Sequence, residues 1–332
     1  IGRITRYQAD PSTSFTTTLP NSRKVLIGET IETGIPILLA SHGIGSLVFG
    51  TDGTLLASTG DGGSFLTNDY GSDPNSYFQQ ALDDGIIKPK ENIGSFKAQM
   101  IDVLNGKILR IDPQTGDGIP SNPWYDPDYP KAARSRVFAL GLRNPFRFNI
   151  RPNTGSHNPF GASKWEELNI CDQPGMNFGY PLFEGLFKKD GFWVPTLPNP
   201  STPNPLSQTI NCNQEYFDFQ ELIKQPLQNQ INTFNNTCDP ETAINPSFVF
   251  DHSEPVIMYA NKLSNTPSRA YIPTFNSDGQ LDSLNISSPN APFQSPPFSG
   301  YTSIGGIFYT GENFPEAYRG KYFHADYSWW IR

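Results

Sequence analysis

The stretch SHGIGSLVFGTDGTLLASTGDGG, residues 41–63, predicts a β-hairpin with chemically capable residues at its two ends. Two runs rich in Leu, Val and Thr flank Asp52-Gly53, a dipeptide typical of tight hairpin turns. His42 precedes the first run, and Asp61 follows the second in a Gly-Asp-Gly-Gly loop. Because antiparallel strands place these two ends side by side, we expect both side chains at one rim of a sheet. A histidine there is able to accept a proton near neutral pH.

The amino-acid composition limits the possible fold classes and binding partners of this chain. The chain has 332 residues, enough for one large β domain or two ordinary ones. It contains 29 Gly and 31 Pro, with 13% aromatic and only 17% charged residues, which favours many short strands and ordered turns. The net charge of −8 and the lack of a basic cluster argue against a nucleic-acid partner. No apolar run is long enough to predict a membrane span.

The three cysteines leave two interpretations open. No pair has the spacing of a zinc site. Cys212 and Cys238 bracket a polar, Asn/Gln-rich insert, and a disulfide between them would close it and imply an oxidising compartment. The alternative is three unpaired thiols. The disulfide interpretation predicts a secreted, periplasmic or cell-surface protein.

Along the chain, short strands alternate with turns. Strand-like runs occupy residues 1–7, 105–111, 137–140, 146–150, 164–170, 256–259, 270–272, 306–309 and 321–325. Helices are predicted only at 77–82 and around 215–223, within the two long insertions 64–98 and 187–246. This pattern predicts an all-β sandwich, barrel or propeller, and the loose repetition of strand-and-turn units does not choose among them.

Several segments, taken together and in order, resemble the glucose/sorbosone dehydrogenase family. They are residues 41–63, 105–125, 134–152, 164–170, 177–185 and 305–327. The best-known members of that family are soluble sugar dehydrogenases that use pyrroloquinoline quinone (PQQ) and calcium. The resemblance implies that residues 1–332 form a single six-bladed β-propeller domain with long decorated loops. The chain begins without Met and ends within a strand-like run, so we expect a fragment that lacks the first blade and the C-terminal end.

The resemblance also assigns roles to individual residues. His42 falls on the catalytic histidine, which takes the proton of the sugar hydroxyl while hydride passes to the quinone. Arg143 and Asn144 match residues that contact the quinone, and an arginine suits quinone or carboxylate oxygens because of its fixed charge and fork of donors. Asp61 matches an acidic loop near the sugar. Tyr301 lies on a segment expected to face the central tunnel of the propeller, where the resemblance places the active site.

One departure from the family pattern concerns the calcium site. In the family, a further strand and a glycine-containing calcium-binding loop precede the segment that matches 164–170. Here only residues 151–164 occupy that place, and Gly161 matches the loop's glycine as a cofactor and calcium contact. Calcium requires about six to eight oxygen ligands, and this stretch offers few side-chain oxygens. Glu166 and Glu167, just beyond it, are expected to face solvent or, alternatively, a calcium ion.

Two functions therefore remain open. The first is a secreted aldose dehydrogenase that uses a sugar substrate and an external electron acceptor. The second is a non-catalytic propeller that binds carbohydrate or protein, or serves a structural role, in a larger surface protein with flanking domains.

Overall fold

The protein, seen in a computed structural model, is mostly β-sheet with few helices, as predicted. The structure describes residues 1–151, 157–158, 160–162, 165–209, 211–261, 269–328 and 330–332, with the backbone alone at 157–158 and 160–162. The strands are β1 Ile4–Arg6, β2 Lys24–Ile27, β3 Ile44–Phe49, β4 Leu55–Thr59, β5 Lys107–Ile111, β6 Val137–Ala139, β7 Asn149–Ile150, β8 His157–Asn158, β9 Phe160–Ala162, β10 Trp165–Leu168, β11 Phe183–Glu184, β12 Phe187–Lys188, β13 Pro198–Pro203, β14 Tyr216–Asp218, β15 Ile223–Lys224, β16 Asn235–Asn236, β17 Asp239–Ala243, β18 Phe250–Asp251, β19 Ile257–Asn261, β20 Ala270–Phe275, β21 Leu281–Asn285, β22 Ser299–Gly300, β23 Ser303–Phe308, β24 Tyr322–Asp326 and β25 Trp330–Ile331. Each strand-like run identified from the sequence overlaps at least one of these strands.

The predicted hairpin begins a four-stranded antiparallel sheet. Strands β3, β4, β5 and β6 follow one another in both chain order and sheet order. Their inward side chains are aliphatic, and Leu55 lies opposite Ile111 while Ala57 lies opposite Leu109. These residues belong to a buried cluster that also includes Val137. The hairpin at residues 41–63 is therefore anchored in a hydrophobic core, which fixes the position of both its ends.

Two further sheets are built from the second half of the chain. One has six strands in the order β21-β20-β19-β10-β9, with β22 paired to β19. The other is the antiparallel ribbon β23-β24-β25. A buried aromatic cluster centred on Tyr259 and Phe298, with Trp330 packed against it, joins the two sheets.

The segment 64–98, which the sequence predicts to be an insertion, contributes buried residues to the core. The predicted helix is confirmed as α1, Phe78–Asp83, which contributes Ala81 to a small buried cluster. The 3-10 helix Gly94–Gln99 is buried throughout. Its Phe96 packs among aromatic side chains, with Phe192 and Phe219 at ring-centroid distances of 5.5 and 4.9 Å.

The other predicted helix, around 215–223, is wrong. Residues Tyr216–Asp218 form strand β14, and Phe219–Glu221 form a single 3-10 turn. Phe217 and Phe219 are both buried, a period of two that suits a strand and not a helix. The Asp218 side chain then starts the turn through a reciprocal capping box with Glu221.

The structure joins Cys212 to Cys238, two residues 26 positions apart, and leaves Cys171 as a buried thiol. The disulfide joins the turn between β16 and β17 to the segment that precedes β14. Among the residues described, none of the helices has the length and apolar character needed to cross a membrane.

Candidate active site

His42 and Asp61 form a buried pair at the rim of the four-stranded sheet, which confirms that the hairpin brings them together. The Nδ1 atom of His42 lies 2.7 Å from Oδ1 of Asp61. The exposed fractions are 7% for His42 and 0% for Asp61, so water scarcely screens the contact. His42 has a φ of +54°, a left-handed conformation that is uncommon for a residue with a side chain and is concentrated at functional sites.

The glycines around Asp61 allow the two ends of the hairpin to approach each other. A side chain on Gly60 would place its Cβ 2.4 Å from the carbonyl oxygen of His42. Gly62 has a φ of +63°, and its Cβ would lie 2.3 Å from the Pro36 carbonyl oxygen. The Gly-Asp-Gly sequence is therefore required by close backbone contacts, which hold the carboxylate under the imidazole.

The charge of Asp61 determines which nitrogen of His42 is free. Burial alone would raise the pKa of Asp61, but the charge and hydrogen bond of His42 and the charges of Arg143 and Lys97 lower it overall. An ionised Asp61 accepts a hydrogen bond from Nδ1–H of His42. In the neutral imidazole, Nε2 then carries the lone pair, which is the arrangement of a general base.

Arg143 lies directly beside this pair. Its carbonyl oxygen accepts a hydrogen bond from the Asp61 N–H at 2.7 Å. Burial lowers the pKa of the Arg143 guanidinium, but the attraction of Tyr180, Asp61 and Glu184 raises it overall. Asn144, the next residue, is half-buried like Arg143. The structure thus brings three of the predicted residues, His42, Asp61 and Arg143, to one place.

Two residues of this site, Tyr180 and Glu184, were not predicted from the sequence. The Tyr180 hydroxyl donates to Oγ of Ser95 at 3.1 Å. Glu184 is buried, and one of its carboxylate oxygens lies 3.7 Å from Nζ of Lys189. Both residues occur in the segment NFGYPLFEG, residues 177–185, which contributed to the family resemblance but was assigned no site residue. Its signal was the combination of aromatic and acidic side chains with two glycines.

Two buried lysines lie behind the site. Lys97 is fully buried, and its ammonium donates to the Gly94 carbonyl at 2.8 Å. Burial lowers its pKa, while the charges of Asp69 and Asp61 raise it in part. Lys107 is also fully buried and donates to three backbone carbonyls, those of Lys97, Ala98 and Asn105. The positive charge of Lys97 is one of those that lower the pKa of Asp61.

Tyr301 contacts a different group of residues. Its N–H donates to Oδ1 of Asp326 at 2.9 Å, and its carbonyl accepts from the Asn261 amide at 2.7 Å. The Tyr301 side chain is exposed, whereas Asp326 is buried and also accepts from the Tyr259 hydroxyl at 2.9 Å. The contacts described here attach Tyr301 to the β19–β24 region rather than to His42.

The expectation that Glu166 and Glu167 face solvent is wrong for Glu166. Strand β10 is paired with β9 on one side and β19 on the other, and Glu166 is 0% exposed. Its carboxyl group accepts from the Ser303 N–H at 2.6 Å, and burial raises its pKa to about 8. Glu167 accepts from the Gly185 N–H at 2.6 Å, and burial raises its pKa to about 7. Neither carboxyl group behaves as a solvated surface charge.

The calcium interpretation depends on the segment around Gly161. Gly161 pairs with Glu167 in the backbone register of β9 and β10. The loop residues 152–156, 159 and 163–164 lie outside the described residues, and with them most of the predicted calcium loop. Within the part of the chain that the structure describes, no group of three or more His, Cys, Asp or Glu side chains is placed to hold a metal ion.

Comparison with known proteins finds a match to one family over part of the chain. Residues 29–191 match the model of the family described as Glucose / Sorbosone dehydrogenase. The resemblance to the glucose/sorbosone dehydrogenase family is confirmed. The matched range contains His42, Asp61, Arg143, Asn144 and Gly161, but neither Tyr301 nor the disulfide.

Curated relatives in this comparison come from Arabidopsis thaliana. The chain is 27% identical to the HIPL1 protein over 237 residues, which cover 65% of this chain and 29% of HIPL1. It is 27% identical to the HIPL2 protein over 199 residues, covering 55% of this chain and 24% of HIPL2. The chain thus spans less than a third of the length of these relatives.

Solved structures with some likeness to this chain include two sugar dehydrogenases. One is the PQQ-bound aldose sugar dehydrogenase from Streptomyces coelicolor, 17% identical, covering 91% of this chain and 62% of that one, with a TM-score of 0.36. The other is the apo form of the soluble aldose sugar dehydrogenase from Escherichia coli, 17% identical, covering 80% and 58%, with a TM-score of 0.34. At TM-scores this low, the likeness does not establish a shared architecture.

Proposed function

We propose that this protein is a secreted aldose dehydrogenase that uses PQQ and is built on a six-bladed β-propeller. The observation that carries the proposal is the buried contact of 2.7 Å between His42 and Asp61. It lies within the residues matched to the glucose/sorbosone dehydrogenase family. A His–carboxylate pair at a sheet rim, with a cationic Arg143 beside it, is suited to removing a proton from a substrate hydroxyl.

His42 is the base in the proposed reaction. Its Nε2 atom accepts the proton of the sugar hydroxyl, while Asp61 holds Nδ1 and stabilises the imidazolium that forms. The role proposed for Asp61 is therefore to position His42 from below, since the carboxylate is fully buried. The chemistry that PQQ supplies when bound is acceptance of the hydride from the same carbon. Proton and hydride together account for the oxidation of the alcohol.

The residues beside His42 fit an anionic quinone. The guanidinium of Arg143 and the amide of Asn144 provide hydrogen-bond donors suited to quinone or carboxylate oxygens. Lys189 adds a second cation near Glu184 and lies 5.3 Å from the ring centroid of Tyr180. In the same proposal, the segment around Gly161 would hold calcium. Tyr301 is proposed as a second residue that contacts the sugar.

The alternative is a propeller that binds carbohydrate or protein without catalysis, as a module of a larger surface protein. The short segment 151–164 favours it, because few side-chain oxygens are present there to hold calcium. The two functions differ in whether the protein binds the quinone.

Dye-linked oxidation of a panel of aldoses, with PQQ and calcium added, tests the proposal. We expect turnover that requires both additions and falls at least 100-fold in His42→Ala. The control is Lys321→Ala, at an exposed lysine on the β23–β24 ribbon, which should leave turnover unchanged. If the quinone fails to bind, as followed by its absorbance, and no aldose is oxidised, the dehydrogenase proposal is wrong and the binding module is favoured.

A further inference from the structure

A cavity lined by neither His42, Asp61 nor Arg143 is formed in part by residues 85–91. Its volume is about 530 Å³, within the range of small-molecule sites. Its lining includes the turn that carries Lys88 and Lys90 and the segment that carries Lys131, Arg134 and Arg136. Val103 and Leu104 contribute apolar surface.

The charge of this cavity is opposite to that of the whole protein. Five cationic side chains line it, against three carboxylates, those of Glu32, Glu91 and Asp102. The net charge of the chain is −8. A positive concave surface on an acidic protein attracts small anions, because the low-dielectric walls concentrate the field within the cavity.

Some of these cations are already paired. Nζ of Lys131 lies 2.6 Å from Glu29, and Nε of Arg134 lies 2.6 Å from Asp102. By contrast, Lys88 and Lys90 make no ion pair within 4 Å among the described residues. Both are exposed at the rim, where their side chains are able to reach a bound molecule.

Arg136 provides a rigid donor at the base of the cavity. It is only 3% exposed, and its Nε and NH2 groups donate to the carbonyls of Gly116 and Leu26 at 2.8 and 3.2 Å. A guanidinium has five N–H donors, so two hydrogen bonds leave donors for an oxyanion. Both of these acceptors are neutral carbonyls, and no carboxylate of the described residues lies within 4 Å of the Arg136 guanidinium.

The turn that carries the two lysines is held in place. Oε2 of Glu91 accepts from the Lys88 N–H at 2.9 Å, closing the 3-10 turn Pro89–Glu91. The carboxylates of Glu32 and Glu91 remain at the cavity wall as acceptors. Acceptors mixed with an excess of cations match a ligand that has hydroxyl groups as well as a negative charge.

We propose that this cavity binds a small polyhydroxylated anion, a sugar acid or a sugar phosphate. The oxyanion contacts Arg136 and the ammonium groups of Lys88 and Lys90, and the hydroxyl groups donate to Glu32 and Glu91. The proposal does not depend on the dehydrogenase activity, since no residue of the His42 site takes part.

Isothermal titration calorimetry at low salt tests it with three probes, gluconate, glucose 6-phosphate and glucose. We expect at least one of the two anions to bind tenfold or more tightly than glucose. A preference for gluconate identifies a carboxylate site, and a preference for glucose 6-phosphate identifies a phosphate site. The double variant Lys88→Glu/Lys90→Glu should weaken anion binding at least tenfold, because it reverses two charges at the rim.

The matched control is Arg319→Glu/Lys321→Glu, which makes the same change of charge at exposed residues of the β23–β24 region. It should leave anion binding unchanged, and thermal melting should show that both double variants remain folded. The proposal is overturned if glucose binds as tightly as the anions, if neither anion binds, or if the two double variants weaken binding equally.

Discussion

Asp61 holds the imidazole of His42 through one carboxylate oxygen, at 2.7 Å, and its other oxygen is buried with no hydrogen-bond partner among the described residues. A buried carboxylate oxygen without a donor is costly unless nearby charges stabilise it. The positive charges of Arg143 and Lys97 have this effect. The pair is therefore part of a charged cluster, and the ionisation of Asp61 depends on Arg143 and Lys97 as well as on His42.

Replacing Asp61 with Asn tests this dependence. The amide is similar in shape but carries no charge, so it stabilises neither the correct tautomer of His42 nor its imidazolium form. In the proposed dehydrogenase, we expect kcat to fall by about 10² to 10⁴ with little change in KM. Steady-state kinetics across pH 5–9 measure both. A merely structural role for Asp61 would instead lower thermal stability and leave the pH profile of the remaining activity unchanged.

Gly60→Ala should displace His42. The added Cβ would lie 2.4 Å from the His42 carbonyl oxygen, a distance that requires the backbone to move. We expect a loss of about 2–4 kcal/mol in the free energy of unfolding, the range of strained substitutions in well-packed regions. Urea denaturation measures it.

The matched control for that substitution is Gly85→Ala. Gly85 has a φ of +71°, but no atom lies within 4 Å of its Cβ position, so only the backbone cost of about 1 kcal/mol should appear. Equal losses in the two variants would show that the contact with His42 does not constrain the loop.

The sequence predicted the His42–Asp61 contact because everything that creates it is local. The Asp-Gly turn determines which residues of the two strands are paired. The alternation of side chains along each strand determines which face of the sheet each one occupies. The location of Arg143 came from family resemblance alone, since 82 residues of chain separate it from Asp61. No pattern in the intervening sequence predicts that Asp61 and Arg143 lie close together.

The burial of Glu166 was missed because its hydrogen-bond partner is distant in sequence. Glu166 accepts a hydrogen bond from Ser303, 137 residues away. Glu166 and Glu167 occupy opposite faces of strand β10, so the alternation of side chains did not identify an apolar face. Lys107 did leave a signal. It lies two residues before Leu109 and four before Ile111, so a period of two places it on the same buried face.

Lys107→Met should destabilise the protein although it replaces a charged core residue with an apolar one. The variant leaves three buried carbonyls, those of Lys97, Ala98 and Asn105, without their donor. Each orphaned buried group costs about 1–3 kcal/mol. We expect a total loss of about 2–5 kcal/mol by urea denaturation, allowing for relaxation. Lys321→Met, at an exposed position, should change the stability by less than about 0.5 kcal/mol. A Lys107→Met protein as stable as the parent would show that these carbonyls find other donors.

Glu166→Gln should change how stability depends on pH. Burial raises the pKa of Glu166 from 4.5 to about 8, so the folded protein keeps this carboxyl group protonated where the unfolded chain has already released the proton. The stabilisation is therefore complete below about pH 4.5 and is lost as the pH rises through about 8. Between pH 5 and pH 8, the parent protein should lose on the order of 2–4 kcal/mol relative to the variant, since one pKa unit corresponds to about 1.4 kcal/mol. The difference between the two unfolding free energies, measured by denaturation at each pH, isolates Glu166 because Glu167 and the buried histidines titrate in both proteins. Parallel curves for parent and variant from pH 5 to pH 9 would mean that Glu166 is ionised in the folded protein at neutral pH, and that the hydrogen bonds from Ser303 and Asn261 outweigh its burial.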